Sequence, residues 1–323
     1  MKKWMKMTAV MMTLAMAMTG CGGAEGSAED AADKYTVGIV QQLEHPALDA
    51  ATAGFQDKLT ELTEGAVVFD YQNAQGEQTN CTTIATKFVA DQVDLIMANA
   101  TTALQSAAAA TADIPIVGTS VTDYMTAGVV ESNEAPGRNV TGASDLAPID
   151  RQIAMLLELV PDVQKVGIVY CSAEPNSIYQ SELAQKALDA ANVAWAEYTA
   201  ADSNEVQSVV TKAVSECDVL YVPTDNTMAN NTEIIKNVAV PAGVPVIAGE
   251  ENMCAGCGIA TLSISYYDLG AKAAEMAYEI LANDADPGAM PIAYVSEGIT
   301  EKYNAELAEA LHIAIPEGMV AIG

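Results

Sequence analysis

Nine polar side chains stand where short apolar runs of the chain give out: His45, Thr101, Thr102, Ser120, Asp145, Asn176, Asp225, Asn226 and Glu250. The hydroxyls of Thr101, Thr102 and Ser120, beside helix N-termini with free backbone N–H groups, suit a carboxylate. The carboxylates of Asp145, Asp225 and Glu250 suit an ammonium group, and His45, Asn176 and Asn226 would line the same space. Together these groups describe a site for an amino acid zwitterion. The only arginines are Arg138 and Arg151, which leaves a ligand carboxylate to backbone and hydroxyl donors. A second reading competes position by position, because Ser, Thr, Asp and Asn are also the preferred helix N-caps. Thr102, Ser177 and Thr227 fit either role, whereas Asp225 and Asn226 favour the ligand. His45, followed by Pro46, either bonds its own turn or lines the site. Tyr124, Tyr170, Tyr266 and Tyr267 fall near the same rims and are expected in the core.

Catalytic patterns are missing from the sequence. It has no Gly-x-Ser-x-Gly elbow, no His-Glu-x-x-His helix and no phosphate-binding loop, and its two histidines, His45 and His312, are far apart. An enzyme is not expected, nor is a cofactor. Cys254 and Cys257 have the spacing of a metal or redox pair, but no second pair follows, so a local disulfide or plain packing is the expected role.

The elements that must position these residues follow from periodicity. Short apolar runs alternate with longer segments of helical spacing, the βαβ pattern of a parallel sheet. Strands are expected at 36–40, 66–71, 94–98, 114–118 and 139–145, with helices at 49–62, 80–91 and 102–112. The pattern then restarts, with helices at 149–159, 179–191, 204–215 and 230–239 and strands at 166–170, 194–197, 219–222, 244–248 and 259–263. A helix at 268–282, a strand near 292–295 and a helix at 302–311 complete the series. Residues 35–145 with about 264–290 form a first lobe, and 146–263 with about 291–323 a second. In open parallel sheets, ligands bind beyond the carboxyl ends of the strands, which is where the nine residues lie.

The first residues bear on compartment. Lys2, Lys3 and Lys6 precede an uncharged apolar stretch at 7–18 that ends in Met18-Thr19-Gly20-Cys21. This reads as a secretory signal with a lipobox-like end, Cys21 taking the lipid and anchoring the chain to the outer face of the cytoplasmic membrane. Residues 22–34 are small, polar and acidic and read as a disordered tether. With a formal charge of -29, the chain is a poor partner for nucleic acid, which demands clustered basic residues.

The strings at the strand ends resemble those of the ABC-type solute-binding lipoproteins of the tryptophan and tyrosine uptake group. The resemblance is carried by His45-Pro46-Ala47-Leu48-Asp49, Asn73-Ala74-Gln75-Gly76-Glu77-Gln78 and Ala100-Thr101-Thr102-Ala103-Leu104-Gln105. Asn139-Val140-Thr141-Gly142-Ala143-Ser144-Asp145, Pro223-Thr224-Asp225-Asn226-Thr227 and Tyr266-Tyr267-Asp268-Leu269-Gly270 extend it. Two stretches depart from the pattern, at 122–125 and 252–257. The resemblance implies a two-lobed type I periplasmic-binding fold, a Venus-flytrap with each lobe a parallel sheet flanked by helices. It implies an extracellular component of an ABC importer that delivers its ligand to a permease driven by an ATPase; the expected ligand is an aromatic amino acid, tryptophan, tyrosine or phenylalanine, and the expected state is a monomer. A ligand-sensing lipoprotein of the same fold is the alternative.

Overall fold

Successive residues of the inner strands go to opposite faces of a sheet, and here both faces are buried. In the strand Leu95–Asn99, Leu95 and Met97 join one hydrophobic cluster while Ile96 and Ala98 join another. In Val219–Val222, Val219 and Tyr221 divide from Leu220 and Val222 in the same way. Continuous apolar runs of this kind are the mark of parallel strands covered by helices on both sides. The computed structural model describes residues 34–294 and 299–322. The secretory signal, Cys21 and all of the tether but Lys34 lie outside the described residues.

The first lobe begins β1 (Tyr35–Gln41), α1 (Pro46–Leu62), β2 (Val67–Asn73), α2 (Gln78–Ala90), β3 (Leu95–Asn99), α3 (Thr101–Ala110), β4 (Ile116–Val121), β5 (Val140–Ser144). The second runs α4 (Ile149–Leu159), β6 (Lys165–Cys171), α5 (Pro175–Ala190), β7 (Ala194–Ala200), α6 (Val206–Glu216) and β8 (Val219–Val222). It continues through α7 (Asn226–Ala229), α8 (Thr232–Ala242), β9 (Val246–Ala248), α9 (Glu251–Cys257) and β10 (Ala260–Ser263). The remainder is α10 (Tyr266–Asn283), β11 (Ala293–Tyr294), β12 (Thr300–Tyr303), α11 (Ala305–Ala310) and β13 (Val320–Ala321). One sheet has the order β11-β5-β4-β3-β1-β2 and the other β13-β12-β10-β9-β8-β6-β7. Among the described residues every pairing is parallel except β10 with β12. The chain therefore passes between the sheets three times: after β5, after β10 and between β11 and β12.

Helix α10 returns to the first lobe and packs on α1 at backbone contact. A Cβ added at Gly54 would lie 2.0 Å from the Tyr267 carbonyl oxygen, and one at Gly270 would lie 1.9 Å from that of Ala51. Only glycine permits this approach.

Three expectations need correction. The strand near 292–295, placed with the second lobe, pairs through Ala293 and Tyr294 with Ala143 and Ser144 of β5 in the first sheet. Its approach is held by Thr141 Oγ1 donating to the Met290 carbonyl and by the Ile292 N–H donating to that of Asn133. The helix expected at 302–311 is shorter, because Thr300–Tyr303 pairs antiparallel with β10 and Asn304 then caps α11 by accepting from the Leu307 N–H. Residues 251–257, where the periodicity predicts neither strand nor helix, form α9, whose N-cap is Glu250. Cys254 and Cys257 are free thiols packed into the second-lobe core, so the packing role holds and the disulfide does not form.

Candidate functional site

The carboxyl ends of both sheets face a common cleft. His45, Ala47, Leu48, Ser120, Asp145 and Tyr266 line it from the first lobe, and Asn176, Thr224, Asp225, Asn226, Ala229 and Glu250 from the second. Seven of the nine candidates are thus on its wall. The cleft is nearly closed, with a cavity volume of about 10 Å³. The lobes are drawn together.

Local backbone geometry aims the first-lobe groups. Pro46 starts α1 with its fixed φ and no N–H to satisfy, which leaves His45 as an extended N-cap whose side chain makes no cap bond. Ser120 sits in an irregularity of the β4–β5 pairing between Gly118 and Val121, with φ +55°. Bulges and left-handed non-glycine residues concentrate where a side chain must be re-aimed. The Ser120 hydroxyl is buried against the cleft with no protein partner among the described residues. The other two hydroxyl candidates stand elsewhere. Ala100, at φ +85°, is the N-cap of α3, and Thr101 beyond it is buried with its hydroxyl unpartnered, off the cleft wall. Thr102 borders a separate polar recess and donates its backbone N–H to Gln42 Oε1 at 3.2 Å.

Three carboxylates dominate the electrostatics. Asp145, Asp225 and Glu250 are 5 %, 3 % and 2 % exposed, and none joins an ion pair among the described residues. Asp145, at the first crossing, accepts from Thr122 Oγ1 at 3.0 Å and from the Tyr266 hydroxyl at 2.8 Å. Asp225 caps α7 by accepting from the Met228 N–H at 2.8 Å, and its second oxygen accepts from the Cys171 N–H at 2.6 Å. Glu250 caps α9, accepting from the N–H groups of Asn252 and Met253. Capping and cleft lining are thus not alternatives at Asp225 and Glu250, which do both. Burial disfavours the charged form. It raises Asp145, raises Asp225 with help from the neighbouring Glu174 charge, and pushes Glu250 up to about 7. Burial also lowers His45, which favours the neutral imidazole.

Two important residues escape a reading of the sequence. Tyr266, packed in the first-lobe core as expected, also reaches the cleft wall and joins the first and second crossings through Asp145. Glu174 accepts from the N–H and side-chain amide of Asn226, from the N–H and hydroxyl of Thr227, and from the Asn176 amide. It orders the second-lobe rim. Its signal was an acidic residue before Pro175 at a helix start, an arrangement too common to single out. The lobes also touch through His45 Nε2 and Asn226 Oδ1 at 3.1 Å and through Gln180 Nε2, which donates to Thr122 Oγ1 at 3.4 Å.

Comparison with known proteins agrees with this architecture. Residues 36–322 match the family described as ABC transporter substrate binding protein. A tyrosine-binding protein of Clostridioides difficile strain R20291 is 37% identical over 290 residues, covering 87% of this chain and 84% of that protein. An ABC domain from Streptococcus pneumoniae in complex with L-Trp superposes with a TM-score of 0.86 at 32% identity, over 90% of this chain and 100% of that one. The ligand-free, open structure of a Clostridium difficile substrate-binding protein with adhesive properties gives 0.69 at 35% identity, over 89% and 99%. At similar identity, the chain superposes more closely on the L-Trp complex than on the open structure. Two parallel-sheet lobes meeting at a lined cleft are the type I periplasmic-binding fold, and the chain belongs to the ABC transporter substrate binding protein family.

Proposed function

We propose that this chain is the extracytoplasmic solute-binding component of an ABC importer and that its ligand is an aromatic amino acid. The observation that carries the zwitterionic part is the set of three buried carboxylates without a cationic partner on one cleft wall. A buried charge is tolerated when paired, and a ligand ammonium supplies the missing cation to Asp145, Asp225 and Glu250. The Ser120 hydroxyl, unpartnered and buried, serves the ligand carboxylate, while His45, Asn176 and Asn226 line the remaining wall. Ala47, Leu48, Ala229 and Tyr266 provide the apolar surface for a ring. The tyrosine-binding relative and the L-Trp complex support the aromatic class.

Contacts from both lobes give the ligand its leverage, because it shifts an open–closed equilibrium only by binding one state better than the other. With so little free room in the present cleft, a ring enters when the lobes part. The closed form then docks as a monomer on a permease with its ATPase, held at the membrane by lipid on Cys21. A thermal-shift screen of the purified protein against amino acids and nucleosides tests the reading. Tyrosine or tryptophan should raise the melting temperature, as ligands of a native state do, and stabilisation by nucleosides alone would refute it.

A further inference from the structure

The polar groups of the cleft are unevenly divided between donors and acceptors, and the hydrogen bonds determine which is which. Five N–H and O–H groups point at the Glu174 carboxylate, including the Asn226 side-chain amide at 2.7 Å. Its oxygens act only as acceptors, so the Asn226 NH₂ must face them and the Asn226 carbonyl oxygen must face His45. A flipped amide would set two acceptors against each other. His45 Nε2, 3.1 Å from that oxygen, therefore carries the proton, and Nδ1 is a bare acceptor. Asn176 is oriented by the same carboxylate. Its NH₂ lies within bonding distance of Glu174 Oε2, Ser177 Oγ and the Thr224 carbonyl, which turns its carbonyl oxygen the other way.

Both resulting acceptors, His45 Nδ1 and Asn176 Oδ1, are buried and without a donor among the described residues. Their residues are 6 % and 8 % exposed and line the cleft. The ligand ammonium does not need them, since carboxylates accept its protons more strongly than a neutral nitrogen or amide. The buried carboxylates of Asp145, Asp225 and Glu250 on the cleft wall take that end of the ligand. A second donor must therefore come from elsewhere on the molecule bound.

We propose that His45 and Asn176 make the cleft selective for aromatic amino acids whose ring carries an O–H or N–H donor, tyrosine or tryptophan, against phenylalanine, which carries none. The inference rests on the aromatic reading above and sharpens it. Sites built to bond a ligand hydroxyl or N–H reject the analogue lacking it, because the buried acceptor is left unpaired.

Calorimetry on the full protein with L-tyrosine, L-tryptophan and L-phenylalanine is the test. Phenylalanine should bind at least about tenfold more weakly than the better of the other two, and His45→Leu should narrow that gap by weakening the donor-bearing ligand while sparing phenylalanine. A wild-type ratio below about tenfold overturns the proposal. The imidazole gives a readout independent of any ligand and of any variant. With only two histidines in the chain, nitrogen NMR of the wild-type protein resolves the His45 tautomer, expected with its proton on Nε2. A proton on Nδ1 overturns the argument as well. Binding of none of the three amino acids would instead refute the aromatic reading itself.

Discussion

Replacing Asp145 by Asn removes a charge while keeping the shape, and the surroundings of this residue make the substitution unusually clean. Both oxygens of Asp145 are met by hydroxyls, those of Thr122 and Tyr266, and a hydroxyl can rotate to accept from an amide as readily as it donates to a carboxylate. The same change at Asp225 would leave a backbone N–H facing an NH₂, because both of its oxygens accept from backbone N–H groups. For the unliganded protein, Asp145→Asn relieves a carboxylate that is 5 % exposed and lacks a cation, so stability should hold or rise. The melting temperature at pH 8 should fall by no more than about 3 °C, the equivalent of roughly 1 kcal/mol in a domain of this size. The liganded state loses a charge-assisted bond to the ammonium, worth about 1.5–3 kcal/mol, which weakens Kd by roughly 10- to 150-fold. Calorimetry with L-tyrosine and with its des-amino analogue, 3-(4-hydroxyphenyl)propionate, isolates the ammonium, since the variant should lower affinity for the first and not the second. An unchanged Kd for tyrosine in a folded variant would show that Asp145 does not receive the ammonium.

Further outcomes follow from the same structure. Glu250 has its folded value raised to about 7 by burial, against an unfolded value near 4.3, so the unliganded fold binds the proton more tightly than the unfolded chain. Its contribution to stability is fully present below the unfolded value and is lost as pH rises through about 7, on the order of 3 kcal/mol in all. Thermal melts between pH 4.5 and 8.5, compared with Glu250→Gln, measure it. An arriving ammonium reverses that preference, so affinity should rise between about pH 6 and 8 by up to tenfold per pH unit for each proton released, and buffer-dependent calorimetric heats should show the release. Gly270→Ala forces a methyl to within 1.9 Å of the Ala51 carbonyl oxygen and should destabilise by about 3 kcal/mol or more, seen in urea unfolding. Tyr221→Phe deletes the buried donor to Gln152 Oε1 and should cost about 1–3 kcal/mol in the same assay without changing ligand affinity.

Much of the fold was legible because hydrophobic periodicity is local. The runs around Val37, Leu95, Val117, Val169 and Leu220 are buried on both faces and so read as apolar throughout, and each ends in a polar loop. Helix starts were less readable: the helices expected from 49 and 179 begin earlier, at Pro46 and Pro175, where proline opens α1 and α5. Weak or short signals misled. β11 has two residues, and its pairing with β5 is decided by loop bonds from Thr141 and Asn133 that no pattern announces. α9 is a seven-residue helix containing Gly256, too brief for a 3.6-residue period to emerge. Thr101 and Thr102 followed the correct strand but miss the cleft wall because the unusual backbone at Ala100 starts α3 before them.

What the sequence by itself determined was therefore the order of the longer strands and helices and the positions where polar groups must collect, since both follow from alternation along a few residues. Only the tertiary structure decided which loops oppose one another, that Tyr266 reaches Asp145 across 121 positions, and that Glu174 orients Asn226 and, through it, His45. The protonation preferences of Asp145, Asp225 and Glu250 belong to the same class. They arise from removing carboxylates from water, and the distance of a group from water is set by the whole packed molecule rather than by its neighbours in the chain.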